Sequence, residues 1–527
     1  MSASTPANSA AAPGAAFDDR PVLETRNRPL VMAGLISVTL CQFLDATIAN
    51  VALPHMRAQL GASSDQISWV LTSFIIAMAI ATPITGWLSD RVGSRNLFLG
   101  ATALFLLASA ACGAATSLSA MIAFRVIQGI AAAFIGPMAQ TTMFDITPRS
   151  KQGMAMAVFG MMVMVAPITG PALGGFLTEY LNWRWIFYVN LPIGIPAFII
   201  LWWLLPSRPI ERRKLDLFGF AAIAIGLGAM QLAFDRGQHK DWLESWEIII
   251  EVIIAISAAW IFVIHTRSTP EPLFRRELFS NRSFLFAMGL MVILGISVVG
   301  LSAVLPMLFQ SIYGYSVIDS GVMLAPRGLG VMATSFACGW AIRYIDFRWA
   351  ICLGYLLAAY GMWLMTGWTL VMDRNAIYLA IFIQGLGMGM IFSPMNLMAF
   401  STLAPHVRPD GSSLLSLGRS IGGSIGISLI VTMLSRSQQI NHADIGAHVT
   451  QSSVPGFDWS GTIDRMGGAG AGVMVMIDGE VNRQAMMISF LDVFLMLAIM
   501  LALLAPLPFV LKRGLPTAAG QRMPAAE

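Results

Sequence analysis

The sequence predicts an all-α membrane protein with fourteen spans. Three observations lead there. The chain is 56% hydrophobic and only 11% charged, against about 25% charge in a soluble protein of ordinary composition. Apolar stretches of about 20 residues, long enough to cross a bilayer as helices, recur from one end to the other. The breaks between them fall at charge and Pro/Gly clusters, as expected where each span must satisfy its own backbone hydrogen bonds in lipid.

Taken in order, residues 1–28 are small, polar and Ala/Pro-rich, and predict a disordered tail. The apolar run after them is too long for a secretory signal, and no small-residue cleavage site is evident. Spans follow near 29–54, 66–88, 97–116, 119–146, 153–178, 185–205, 217–234, 245–265, 283–312, 317–342, 349–370, 376–404, 411–434 and 486–511. Most of the 32 Lys and Arg residues then lie in tails and loops on the N-terminal side of the membrane. Eight lie on the other side: Arg57, Arg184, Arg236, Lys240, Arg374, Arg436, Arg465 and Arg483. Arg125, Arg327 and Arg419 fall within spans. The positive-inside rule puts both termini in the cytoplasm, and an odd number of spans would scramble this asymmetry. The longest outer segment is 435–485, Gly-rich at Gly467–Gly472, and reads as a loop of functional or disordered character.

Several function classes drop out. The net charge of +4 is spread over many loops without a basic stripe, so no nucleic-acid partner is expected. Cys41, Cys112, Cys338 and Cys352 all lie in apolar spans and read as small buried thiols, with no metal spacing. No phosphate-binding GxxxxGK[ST] loop is present, so neither ATP hydrolysis nor a cofactor is expected. No Ser/His or His/Asp cluster converges in the spans, which argues against an enzyme.

An internal repeat organises the chain at an offset of about 250 residues. Leu53-Pro54 recurs as Leu305-Pro306, Gly86-Trp87 as Gly339-Trp340, and Ile127-Gln128-Gly129 as Ile383-Gln384-Gly385. The run from Gly170 to Gly174-Gly175 recurs from Gly418 to Gly422-Gly423. The expected domains are a six-helix bundle over 29–205, a linker with two inserted helices over 206–282, a second six-helix bundle over 283–511, and a cytoplasmic tail over 512–527. The halves differ in chemistry: at these offsets Asp45 falls on Ser297, and Arg125 on Ile381.

Asp45 is the only charge between Pro29 and Pro54. A charge at the centre of a span costs about 2.5 kcal/mol or more, so it needs a partner or a use. Arg125, early in the fourth span, lies at similar depth by the rise of a helix. Arg125 favours the ionised carboxylate and burial favours the protonated one, a balance that suits a proton carrier. A plain structural ion pair is the alternative. Ala166, Gly170 and Gly174 form a small-residue strip that lets another helix approach, and Gly418, Gly422 and Gly426 repeat it. Arg327 and Arg419 could face a cavity and meet an acidic cargo, or serve a helix end.

Five stretches resemble a known family: Leu44–Pro54 (LDATIANVALP), Gly86–Arg95 (GWLSDRVGSR), Arg125–Gly129 (RVIQG), Gly170–Gly175 (GPALGG) and Trp183–Pro192 (WRWIFYVNLP). Together they resemble fourteen-helix drug:proton antiporters of the major facilitator superfamily, of the EmrB/QacA type, over nearly the whole chain. That resemblance implies the major facilitator fold and a bacterial inner-membrane exporter working by alternating access. Proton coupling would rest on Asp45 and Arg125. Cargo, a hydrophobic or amphipathic small molecule, would meet Gln42, Asn50, Gln128, Met138, Met161 and Met164. Gly170, Pro171, Gly174 and Gly175 would form the antiporter motif that seals the cavity against leak. Gly86, Asp90, Arg91, Gly93, Arg95 and Asp145 would form the cytoplasmic gate. A periplasmic adaptor and an outer-membrane channel could complete the path, with 435–485 as docking surface. A specific metabolite or lipid exporter, or an uptake symporter, would share these motifs.

Overall fold

The computed structural model describes residues 19–211, 213–237, 240, 242–341, 346–448 and 468–510. Residues 1–18 of the expected 1–28 tail, the expected tail over 512–527, and residues 449–467 of the expected loop lie outside the described residues. Among the described residues, fourteen helices are long and apolar enough to cross a membrane. They are α1 (Arg28–Leu60), α2 (Asp65–Val92), α3 (Ser94–Ala114), α4 (Leu118–Asp145), α5 (Arg149–Tyr180), α6 (Trp185–Leu204) and α7 (Leu217–Arg236). The rest are α8 (Trp246–Ser268), α9 (Arg282–Ser311), α10 (Val317–Ala341), α11 (Phe347–Met365), α12 (Arg374–Ser401), α13 (Pro405–His448) and α14 (Val475–Val510). All fourteen expected spans are present. Below, the side from which α1 starts is called proximal and the opposite side distal.

One boundary is corrected. The stretch expected as a loop from 435 is helical: α13 runs on to His448, and helix resumes at Gly468. The extensions are polar and zip together beyond the apolar zone. Ser437 donates to Asp492 at 2.6 Å, Gln438 to Asn482 at 2.7 Å, and His442 meets Asp478 at 3.0 Å. Hydropathy alone misses such a segment, because cross-helix pairs rather than lipid stabilise it.

Packing repeats between the halves. The pairs α1–α5, α2–α4 and α3–α4 are matched by α9–α13, α10–α12 and α11–α12. Helices α5 and α10 make the longest contact between halves. Small residues permit it: a Cβ at Gly321 would collide with Ala172, and one at Gly175 would crowd Val317 and Ile318. Gly170 and Gly174 face the other way, against Thr47 and Ile48 of α1.

Helix α7 sits across the seam between α2 and α13. Its Asp235 accepts a hydrogen bond from Thr72 of α2, while Gln231 accepts from Ser424 of α13 at 2.7 Å. Helix α8 packs on α7 and leaves most of its surface to lipid, with few of its residues buried.

Gly422 gives a sharp packing test. A Cβ there would run into the Val292 backbone carbonyl, which has no rotamer to yield, whereas Gly289 of α9 has open space. Gly422→Ala is expected to cost about 1–3 kcal/mol through overpacking. Gly289→Ala is expected to be neutral or to gain up to about 1 kcal/mol from helix propensity. The thermal midpoints of the two purified variants, set against wild type, check this.

Candidate functional site

Five helices of the first half converge on Asp45. Its carboxylate is fully buried, and Arg125 Nη1 of α4 lies 2.6 Å from Oδ2. Gln128, one turn along α4, donates from Nε2 to Oδ1 at 3.0 Å and accepts from Arg125 at 2.9 Å. From α6, Asn190 Nδ2 donates to the same Oδ1 at 3.0 Å and to Ser109 Oγ of α3 at 3.0 Å. Helix α2 closes the site: its Val70 carbonyl accepts from Arg125 Nε at 3.0 Å, and the guanidinium lies 4.1 Å from the Phe74 ring centroid.

The chemistry follows. Asp45 accepts three side-chain hydrogen bonds, so its carboxylate oxygens are met by protein donors despite burial. Arg125 Nη2 has no hydrogen-bond partner among the described residues. The pair is neutral overall, and a proton arriving on Asp45 would leave a buried cation held by Gln128, Val70 and Phe74. That is a two-state element a proton can bias.

The remaining expected cargo residues are spread out. Gln42 is buried, reaches Met78 Sδ at 3.9 Å, and leaves its Oε1 without a partner among the described residues. Asn50 is exposed in the distal part of α1. Met138, Met161 and Met164 are buried. Gln128 has both polar atoms engaged at Asp45 and Arg125, and its sulfur neighbour Cys112 lies 3.6 Å away.

At the proximal end the halves are tied by charge. Asp145, fully buried, pairs with Arg408 of α13 at 2.6 Å and with Arg208 from the segment after α6. Asp90 pairs with Arg213 at 3.3 Å and Arg275 at 3.2 Å. The same two arginines reach Asp410 of α13, Arg213 at 3.0 Å and Arg275 at 3.9 Å. Gly86 abuts the Asp410 carboxylate, leaving no room for a Cβ. Gly93 turns the chain between α2 and α3 with φ at 92°, where a side chain would be strained. Neutral pairs complete the closure: Gln140 donates to Asn396 at 2.5 Å, and Ser412 donates to Gln140 at 2.9 Å. Outside the spans, a hydrogen bond from Arg275 holds the Glu211 carboxyl below its ordinary value. That exposed link stands at neutral pH and is lost as pH falls through the carboxylate range.

The geometry departs from the expected gate. Arg91 makes no ion pair among the described residues, and Arg95 donates to the Trp202 carbonyl at 2.5 Å. Their places beside Asp90 and Asp145 are taken by Arg208, Arg213, Arg275 and Arg408. The Arg343–Tyr344 pair, which falls where Asp90 and Arg91 would in the second half, lies outside the described residues.

Twelve spans in two matched halves with two more inserted between them, a buried acid–base centre in one half and a charge lock between the halves define a membrane transporter that works by rearranging helices. The profile of the Major Facilitator Superfamily matches residues 35–427, and the chain belongs to that superfamily. The multidrug export protein EmrB of Escherichia coli K12 is 34% identical over 479 residues, which cover 90% of this chain and 94% of that protein. The probable multidrug resistance protein EmrY of the same organism is 33% identical, covering 92% and 95%. The proton:xylose symporter XylE shares the fold at 12% identity and a TM-score of 0.57, covering 93% of this chain and 97% of that one.

Proposed function

We propose that this chain is a proton-coupled multidrug exporter. It lies in a bacterial inner membrane with both termini and the proximal side in the cytoplasm. Its cargo is a hydrophobic or amphipathic toxic compound. The observation that carries the reading is Asp45, buried beside Arg125 with three side-chain donors around it. The likeness to EmrB and EmrY supports the cargo class.

In this scheme residues 29–205 and 283–511 are two bundles that rock about the α5–α10 contact. The 206–282 linker carries the inserted helices and supplies Arg208, Arg213 and Arg275 to the proximal lock. Protonation of Asp45 from the distal side precedes opening of the lock, and cargo enters from the cytoplasm. Gln42, Asn50, Met138, Met161 and Met164 meet cargo, Gln128 senses it through Asp45, and Gly170, Pro171, Gly174 and Gly175 keep the cavity sealed. Asp90 and Asp145 anchor the gate through Arg208, Arg213, Arg275 and Arg408, with Gly86 and Gly93 as its close-packing points. The zipped distal ends of α13 and α14 are the surface an adaptor protein, and through it an outer-membrane channel, would dock on. The chain performs no covalent chemistry.

Inverted vesicles test this. Acidifying their lumen should drive accumulation of an uncharged lipophilic dye, and nigericin should abolish it. Loss of preloaded dye under the same gradient would mean symport. Transport of one compound alone, uncontested by others, would mean a specific exporter.

A further inference from the structure

We propose that Asp216 is a positioning residue for the proximal lock, and that the inserted helices α7 and α8 form a brace that presents Arg213 and Arg275 to Asp90 and Asp410. This rests on the opening and closing of that lock in the export cycle, and it gives a role to the part of the chain outside the two matched bundles.

The two lock arginines stand on separate, irregular stretches of chain: Arg213 just before α7, Arg275 after α8. A stretch without regular structure holds a long cation in one place only if its backbone is tied down, because ordering free chain is costly. Asp216 ties both stretches. Its carboxylate is only 4% exposed. Oδ1 accepts from the Gly219 N–H at 2.8 Å, capping α7, and lies 2.7 Å from Nε2 of His265 in the last turn of α8. Oδ2 accepts from the Leu273 N–H at 3.2 Å, two residues before Arg275. Asp216 itself follows Arg213 by three residues. Packing carries the same connection. Phe274, fully buried next to Arg275, meets Phe262 of α8 edge-on with 6.2 Å between ring centroids. On the other stretch, the Arg213 carbonyl accepts from Trp87 Nε1 of α2 at 3.2 Å. So placed, the arginines reach Asp90 and Asp410.

Helix capping accounts for only one of these bonds. A cap needs the backbone N–H two or three residues ahead, which Gly219 supplies. The bonds to His265 and Leu273 reach 49 and 57 residues along the chain and close the base of the α7–α8 hairpin. Crossing lipid does not require them either, since each span satisfies its own backbone. What they fix is the separation and direction of two cations. Loosening Leu273 would free Arg275, the residue that spans Asp90, Glu211 and Asp410. The lock parts and re-forms in every cycle, so the cations must meet the same carboxylates again on each closure. Holding them in place beforehand reduces the conformational entropy lost each time. Asn at 216 isolates this role. It caps a helix as well as Asp does, but its amide has one acceptor oxygen, so Gly219 and Leu273 cannot both be served.

The test uses full-length protein in inverted vesicles, with the four cysteines replaced and Ser412→Cys as reporter, because Ser412 is fully buried in the seam between the halves. The rate of labelling by an impermeant maleimide reads how often the lock opens. Asp216→Asn is expected to raise that rate at least about fivefold, part of what one hydrogen bond to a charged group is worth. The melting midpoint of the purified variant should stay close to that of the parent, since the α7 cap survives. Asp410→Asn should raise the rate as well. In the double variant, Asp216→Asn should add less than about twofold, because the arginines it positions have already lost a carboxylate. A rate unmoved by Asp216→Asn overturns the inference, and if Asp410→Asn still raises it, the lock stands without the brace. Effects that multiply in the double variant also overturn it, since Asp216 would then act apart from Asp410. If the labelling pattern holds while wild-type vesicles move no dye under a proton gradient, the brace stands and the export reading fails.

Discussion

Asp45→Asn is expected to reduce proton-driven export in inverted vesicles to the background of vesicles lacking the protein. Asn keeps the shape of the side chain and some of its hydrogen bonding to Gln128 and Asn190, but cannot take up a proton. A structural ion pair would also suffer from the change, because Arg125 loses its counter-ion. Breaking one side of a buried pair costs about 3–5 kcal/mol, so a lower melting point alone decides nothing. The double variant Asp45→Asn with Arg125→Gln separates the two roles. It removes the orphaned cation and should recover most of the lost stability. Export should stay at background in the double variant, since no titratable group remains at the centre. Export that returns with stability would mean that Asp45 is a strut, and proton coupling would have to be sought elsewhere.

The centre was half legible in the sequence, for a physical reason. Asp45 and Arg125 stand out because a charge in an apolar span is expensive, and the cost itself marks them. Asn190 and Ser109 complete the same cluster yet carry no such mark. Neutral polar residues are tolerated in spans, and a pattern of residues does not say which helices will meet. Asn190 lay in one of the family-like stretches, but nothing in the stretch tied it to Asp45. The lock shows the converse. Arg208, Arg213 and Arg275 read as ordinary positive-inside charges, and only folding brings them between Asp90, Asp145 and Asp410. Helix boundaries were legible where lipid sets them. They failed at 435–448, where polar pairs between α13 and α14 extend the helices past the apolar zone.

Asp410→Asn is expected to open the proximal lock. Asp410 is 2% exposed, is held by Arg213 at 3.0 Å, and presses against Gly86 of the other half. The arginines it shares with Asp90 bridge the two halves only while both carboxylates are charged. Removing one leaves Arg213 with Asp90 alone and Arg275 with Asp90 and the exposed Glu211, a loss of about 3 kcal/mol from the closed state. That is enough to shift a two-state equilibrium by roughly a hundredfold. Ser412 reports the change, because it is fully buried in the closed seam and donates to the Pro137 carbonyl at 3.0 Å. With Cys41, Cys112, Cys338 and Cys352 replaced, Ser412→Cys should react slowly with an impermeant maleimide on the exposed face of inverted vesicles. Adding Asp410→Asn should raise that rate at least about tenfold, part of the roughly hundredfold population shift. Arg275→Gln should raise it less, because Arg275 stands 3.9 Å from Asp410. An unchanged rate in both would place the closure in the neutral contacts of Gln140, Asn396 and Ser412 instead, and the linker arginines would then be bystanders to the conformational cycle.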